Sequence, residues 1–390
     1  MGSSRYLIVG GGLAGDATCR GIREVDPGGT IALVADEPHA PYSRPPLSKA
    51  LWKGSEEDTI WRGTEELDVE LRLGRRITAL DLERRVATDH EGDEHRYERL
   101  VLATGGRPRQ LPFGGDEVIY FRTLDDYRRL RVLVEEGARV VVIGGGFIGS
   151  EIAAALSLNG CTVTMVFPEP GIGARIFPAS LSAALNEDYT RRGVELLTGA
   201  SVTGIGRGRV SLADGRTLEA DAVVAGIGIV PNVELAARAG LPVRDGILVD
   251  AFGRAGGRED VFAAGDVARF PAAALGVEMR VEHEDHAKSH GKRVGSNMAG
   301  AHEPYDHVPF FYSDLFDYGY EAVGELDARM DTFVDGDEFG AEAATCYYVD
   351  SERRPRGVLL WNMFGHVDAA RELIRAGRPI TRGALAALAA

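Results

Sequence analysis

The chain has 390 residues, 44% of them hydrophobic and 26% charged, a globular composition long enough for two or three domains. No run approaches the roughly 20 apolar residues of a membrane-spanning helix, and a net charge of -15 without a concentrated basic tract argues against a nucleic-acid surface. Cys19, Cys161 and Cys346 are far apart and form no CxxC pair, so neither a disulfide framework nor a cysteine-held metal is predicted.

The opening MGSSRYLIVGGG enters an apolar strand at once, leaving no space for a leader peptide and predicting a cytoplasmic protein. Residues 5–34, RYLIVGGGLAGDATCRGIREVDPGGTIALV, read as strand, glycine turn, helix, strand. Gly10, Gly12 and Gly15 form GxGxxG, with Leu13 and Ala14 opening the helix. The first glycine makes a tight turn, the second lets a pyrophosphate approach the backbone, and the third permits close helix packing. Unpaired N–H groups and the dipole at the helix N-terminus then face the phosphates. About 25 residues beyond the turn stand Asp36 and Glu37, either of which is placed to accept hydrogen bonds from a ribose.

PYSRPPLSKALW follows at 41–52. Arginine outnumbers lysine in the chain by 40 to 4, yet Lys49 stands directly after a loop stiffened by Pro45 and Pro46. YERLVLATGGRPR, 97–109, reads as a buried strand ending at Ala103, Thr104 and Gly105. Residues 138–167, ARVVVIGGGFIGSEIAAALSLNGCTVTMVF, repeat the first device with Gly144, Gly146 and Gly149, Phe147 and Ile148 lying between them. By spacing alone Phe147 is a core residue. Glu169 ends this second unit, where a carboxylate binds a ribose 2'-hydroxyl and repels a 2'-phosphate, favouring NADH over NADPH; Arg175, six residues on, opposes that preference.

DAVVAGIGIVPN at 221–232, with Gly228, is a second buried strand ending in glycine. In REDVFAAGDVARF at 258–270, Asp266 follows Gly265 at a strand end, where it is able to hydrogen-bond a ribityl chain. MRVEHEDHAKSHG, 279–291, gathers Glu282, His283, Glu284, Asp285 and His286, but HEDH lacks the HExxH spacing of a zinc protease, so no metal is predicted. His286 and His290 read as surface or packing residues. The pairs Arg84 and Arg85, Arg128 and Arg129, and Arg191 and Arg192 read as solvated charges. The stretch from VPFFYSDLFDYGYEAVGELD to GVLLWNMFGHVDAARELIRAG alternates and then turns helical, predicting an antiparallel sheet with a helix; RGALAALAA at 382–390 reads as a frayed helix end.

Together these motifs resemble the flavoprotein pyridine-nucleotide reductases with two dinucleotide folds, over essentially the whole chain. PYSRPPLSK is similar to the signature of the ferredoxin-reductase type, and VEHEDHA, YSDL, GYEAVG, VFPEPG and LLWNMFG are closer to its apoptosis-inducing-factor branch. The resemblance implies an α/β fold of two Rossmann-like domains of the glutathione-reductase type plus a C-terminal α+β domain with an antiparallel sheet. The FAD domain is then discontinuous, 1–112 and 235–305, with the NAD domain at 113–234 and the last domain at 306–390.

It also implies roles. Lys49 lies beside flavin N5, paired with Glu151, where arginine's planar fork would bond differently. Phe147 covers the flavin until nicotinamide displaces it, and hydride transfer requires an approach of about 3 to 3.5 Å. Glu282 and His283 sit at the nicotinamide and flavin site, followed by a helix whose N-terminal dipole favours the reduced flavin's negative edge. Lys49, Glu151, Phe147 and His283 are thus the catalytic set. Arg44, Val86, Arg122 and Tyr312 are further FAD-side positions, and Arg175, Gly228, Glu321 and Asn362 belong to the NAD side. Tyr312 replaces a tryptophan and Glu284 a second histidine, which removes the basis for carrying over a long-lived charge-transfer complex.

Three functions follow. The first is an FAD-dependent NADH oxidoreductase whose acceptor is a quinone, oxygen or a ferredoxin. The second is the ferredoxin reductase component of an oxygenase chain. The third is an NADH-sensing flavoprotein whose reduction changes its oligomeric state, a homodimer being the simplest assembly.

Overall fold

The computed structural model describes residues 2–335 and 343–381, so the 382–390 tail lies outside the described residues. The chain forms two compact units, one of Met1–Ser43, Asp58–Arg107 and Val230–Pro309, the other of Arg44–Glu57, Pro108–Ile229 and Phe310–Ala390.

In the first unit the runs YLIV and IALV are buried on both faces, as parallel strands under helices require. Val69–Arg72, Ile31–Val34, Gly2–Val9 and Glu94–Leu102 lie side by side in that order and in parallel, and Val261–Ala263 pairs in parallel with Glu94–Leu102. Val86–Asp89 and Ile77–Asp81 extend the sheet antiparallel. The helix Leu13–Val25 leaves the sheet at Gly12 and packs backbone to backbone on the helix Glu284–Ala299. Glycines make this possible: a Cβ at Gly291 would lie 2.5 Å from Ala14 O, and one at Gly295 2.2 Å from Thr18 O. The contact sets the first half of Leu13–Val25 against the second half of Glu284–Ala299.

The second unit holds a second parallel sheet, ordered Glu195–Thr198, Thr162–Phe167, Arg139–Ile143, Ala222–Ala225 and Val118–Tyr120. The helix Phe147–Leu158 leaves it at Gly146. A five-stranded antiparallel sheet, ordered Phe310–Leu315, Tyr318–Gly324, Pro355–Trp361, Ala344–Val349 and Asp331–Asp335, completes the unit with the helix Val367–Ala376. A mixed sheet with a parallel core, a parallel sheet, and an antiparallel sheet with a helix match the predicted fold class.

Candidate active site

The two glycine turns are built alike. Gly10 has φ 125° and Gly144 φ 111°, the left-handed region that excludes most side chains. A Cβ at Gly10 would lie 2.1 Å from Ala103 O, and one at Gly144 2.4 Å from Gly226 O. At Gly15 and Gly149 a Cβ would collide with the carbonyl oxygen of Gly10 and of Gly144, at 2.1 and 2.0 Å. Gly12 and Gly146 differ: each caps its helix without a side-chain hydrogen bond, and a Cβ there would meet nothing within 4 Å. Each turn therefore leaves open space over first-turn N–H groups, which fits a bound pyrophosphate. Ile148 is 37% exposed on the first turn of its helix.

In the first unit, Asp36 is exposed and Glu37 half-buried just beyond Ile31–Val34, and Tyr42 Oη donates to Glu37 Oε2 at 2.6 Å. Thr104 exchanges hydrogen bonds with Asn232 at 2.9 and 2.8 Å, and Gly105 O accepts from Asn232 N. Asp266 and Glu282 share Arg280, whose Nη1 donates to Asp266 O at 3.2 Å and Glu282 Oε1 at 2.6 Å. His283 is the N-cap of Glu284–Ala299. Loss of hydration pushes its pKa down to about 4, with Asp266 and Asp285 pulling it back up.

Val86 pairs with Arg96, which pairs with Ser3, so it sits about 20 Å of strand away from Gly10, buried in the sheet. His286 and His290 are packing residues, 0% and 1% exposed, with rings stacked at 4.9 Å. Among the described residues, no group of three or more His, Cys, Asp or Glu side chains is arranged to hold a metal.

The second unit contains the lysine. Leu47 and Trp52 are buried on either side, and Trp52 Nε1 donates to Leu47 O at 2.8 Å, which pins the short turn carrying Lys49. Lys49 Nζ lies 2.6 Å from Glu151 Oε1, with side chains 12% and 4% exposed. Two hydroxyls complete the carboxylate's surroundings: Ser48 Oγ donates to Oε2 and Ser313 Oγ to Oε1, each at 2.5 Å. The sequence reading missed both serines. Ser48 adjoins Lys49 and was open to suspicion, whereas Ser313 stands 162 residues from Glu151 and no local pattern announces it.

Around this cluster, Lys49 Nζ is 5.7 Å from the Tyr312 ring centroid, and Phe147 packs edge-on against Phe311 at 5.1 Å. Tyr312 stands opposite Glu321 in the strand pair, and Glu321 Oε2 accepts from Gly365 N at 3.2 Å. Asn362, with φ 49°, exchanges hydrogen bonds with the Gly319 backbone at 2.8 and 3.1 Å. Arg44 Nη1 donates to Arg122 O at 2.9 Å, and Gly228, at φ 88°, accepts from Arg109 N. Glu169 is ion-paired with Arg175.

Residues 4–291 match the family Pyridine nucleotide-disulphide oxidoreductase, and residues 294–336 match Apoptosis-inducing factor, mitochondrion-associated, C-term. The chain is 35% identical, over 97% of its length and 95% of the relative's, to the anthranilate 1,2-dioxygenase system ferredoxin–NAD(+) reductase component of Burkholderia cepacia. It is 33% identical, over 96% of its length and 79% of the relative's, to apoptosis-inducing factor 1, mitochondrial, of Dictyostelium discoideum. A chain of the covalent putidaredoxin reductase-putidaredoxin complex superposes with a TM-score of 0.92 at 31% identity, covering 98% of this chain and 95% of that one. The chain belongs to the pyridine nucleotide-disulphide oxidoreductase family. It is an oxidoreductase with FAD and NADH as its cofactors, and both resemblances read from its motifs hold. Its cysteines are free, Cys19 and Cys346 buried and Cys161 half-buried, so the disulfide chemistry in the family's description has no pair here to perform it.

Proposed function

We propose that the protein is an NADH-dependent reductase that passes electrons to a small iron-sulfur protein of the ferredoxin type. The observation that carries this reading is the ion pair between Lys49 and Glu151, a nearly buried ammonium held 2.6 Å from a carboxylate in a chain with only four lysines. When bound, FAD supplies a hydride acceptor at N5 and a route for releasing electrons one at a time. The Lys49 ammonium presents a compact positive charge and rotatable donors to that ring, and Glu151 keeps the ammonium in place.

In the same reading the turn around Gly12 and the ribityl-facing Asp266 hold FAD, and the turn around Gly146 with Glu169 holds NADH. Phe147 shields the ring until nicotinamide arrives, and His283, held neutral, adds no positive charge beside it. A discontinuous FAD domain of 1–112 and 235–305, an NAD domain of 113–234 and a C-terminal domain of 306–390 belong to this reading. A ferredoxin-type acceptor is favoured because the Burkholderia relative is named a ferredoxin–NAD(+) reductase component and the superposing chain comes from a reductase complexed with putidaredoxin. A cytoplasmic site of action and a homodimer belong to this reading; light scattering with and without NADH checks the assembly.

The test is NADH-dependent cytochrome c reduction with and without an added [2Fe-2S] ferredoxin. Strong stimulation by ferredoxin supports the reading. Fast turnover with quinone or oxygen, unaffected by ferredoxin, rejects the acceptor class. A mass change on NADH addition with negligible turnover on every acceptor rejects the enzyme in favour of a sensor.

A further inference from the structure

Only one of the three contacts on the Glu151 carboxylate comes from Lys49. Ser313 Oγ donates at 2.5 Å to Oε1, the oxygen that Lys49 Nζ meets at 2.6 Å, while Ser48 Oγ holds Oε2. Glu151 is 4% exposed and Ser313 1%. Ser313 stands opposite Tyr320 in the antiparallel pair of Phe310–Leu315 with Tyr318–Gly324, and it hydrogen-bonds the Tyr320 phenol. Tyr189, from the helix Ala179–Arg191, is a further titratable group that interacts with the carboxylate's charge. Burial and the Glu151 charge push both phenols well above their ordinary value, so they remain neutral around it.

A carboxylate removed from water needs donors on its lone pairs. A carboxylate held by lysine alone would also keep rotational freedom about its last bond. The two serines remove that freedom by fixing one oxygen each.

We propose that Ser313 is a positioning residue for the redox centre: its hydroxyl holds Glu151 Oε1 in one orientation, so that Lys49 presents its ammonium in one fixed direction. This rests on the role proposed above for Lys49 and extends it to the C-terminal sheet. Without the Ser313 hydroxyl, Glu151 is free to turn about its last bond, and the ammonium that it anchors loses its fixed direction.

The experiment compares wild type, Ser313→Ala, Ser313→Thr, Glu151→Gln and the double variant Ser313→Ala with Glu151→Gln, each purified with its flavin. Two quantities are read from about pH 5.5 to about pH 9: the anaerobic rate of flavin reduction by NADH, and the flavin midpoint potential from a dye-equilibrated chemical titration that uses no NADH. Ser313→Ala is expected to reduce roughly tenfold more slowly across the range, with a lost hydrogen bond to a charged group as its cause. Its potential should lie below that of wild type, because an ammonium without a fixed direction favours the reduced flavin less. Ser313→Thr, which keeps the hydroxyl, should restore the wild-type profile, and in the Glu151→Gln background removing Ser313 should add nothing. If the alanine variant is unstable, Ser313→Cys, close in volume and a weak donor, should shift both readouts in the same direction.

Superimposable rate and potential profiles for Ser313→Ala and wild type overturn the proposal. So does an equal effect of Ser313→Ala in the Glu151→Gln background, which marks a merely structural role. A wild-type flavin that NADH leaves oxidised overturns the functional reading instead, and the potentials still decide the role of Ser313.

Discussion

Arg175 Nη2 lies 2.5 Å from Glu169 Oε1, yet Arg175 is 82% exposed and Glu169 only 22%. The carboxylate assigned to the adenosine ribose is thus matched by a guanidinium with freedom to turn into solvent. Glu169→Ala should narrow the preference for NADH over NADPH by about tenfold, because it removes the repulsion and frees a cation for the 2'-phosphate. Arg175→Ala should widen the preference. The ratio of kcat/KM for the two nucleotides reports both, and a ratio unchanged in both variants rejects the assignment.

Asp16, fully buried in the first turn of Leu13–Val25, receives Arg20 and Arg62 at 3.1 Å and the Thr64 hydroxyl at 2.8 Å. Removing the carboxylate leaves two partly buried guanidinium groups without their common anion. Asp16→Ala should lose about 2 to 3 kcal/mol of stability, somewhat less than a fully buried pair because both arginines reach water. A urea midpoint equal to that of wild type would refute the estimate.

Acid should unfold the first unit through its histidines. Burial pushes His290 to about 3, His286 well below its usual value, and His283 to about 4. These folded-state values are depressed, so the neutral rings are favoured and their contribution is complete above about pH 6.5. As the pH falls from there towards the folded values, the unfolded chain binds protons that the folded chain refuses. Each ring then costs about 1.4 kcal/mol per pH unit. His286→Phe, which keeps a ring to stack on Phe270, should flatten the fall in stability between about pH 6 and pH 4. Equal slopes for the variant and wild type would show that these rings do not control acid unfolding.

Gly291 is the glycine of the helix pair that meets Ala14, beside the first glycine turn. A Cβ there would sit 2.5 Å from Ala14 O and 3.1 Å from Ala14 Cα, both backbone atoms that cannot swing aside. Gly291→Ala should cost about 2 kcal/mol and lower the FAD content of the purified protein by displacing the first glycine turn. Full flavin occupancy with unchanged thermal stability would contradict this.

The parts of the molecule legible in the sequence are those in which backbone geometry dictates residue type over a short span. Gly10, Gly15, Gly144 and Gly149 are required by carbonyl oxygens at most 2.4 Å from where a Cβ would be, and so they announce both turns. Lys49 and Glu151 were paired by resemblance, and the structure places them in contact. What stayed hidden depends on tertiary contact. Ser313 meets Glu151, and Arg62 and Thr64 meet Asp16, only after strands far apart in sequence have packed.

Anaerobic stopped-flow mixing of Lys49→Ala with NADH tests the central claim most directly. The variant should keep near-stoichiometric FAD yet reduce it at least about tenfold more slowly than wild type, with Lys49→Arg failing to restore the rate. Wild-type reduction in Lys49→Ala would contradict the account, because the ion pair with Glu151 would then have no part in hydride transfer.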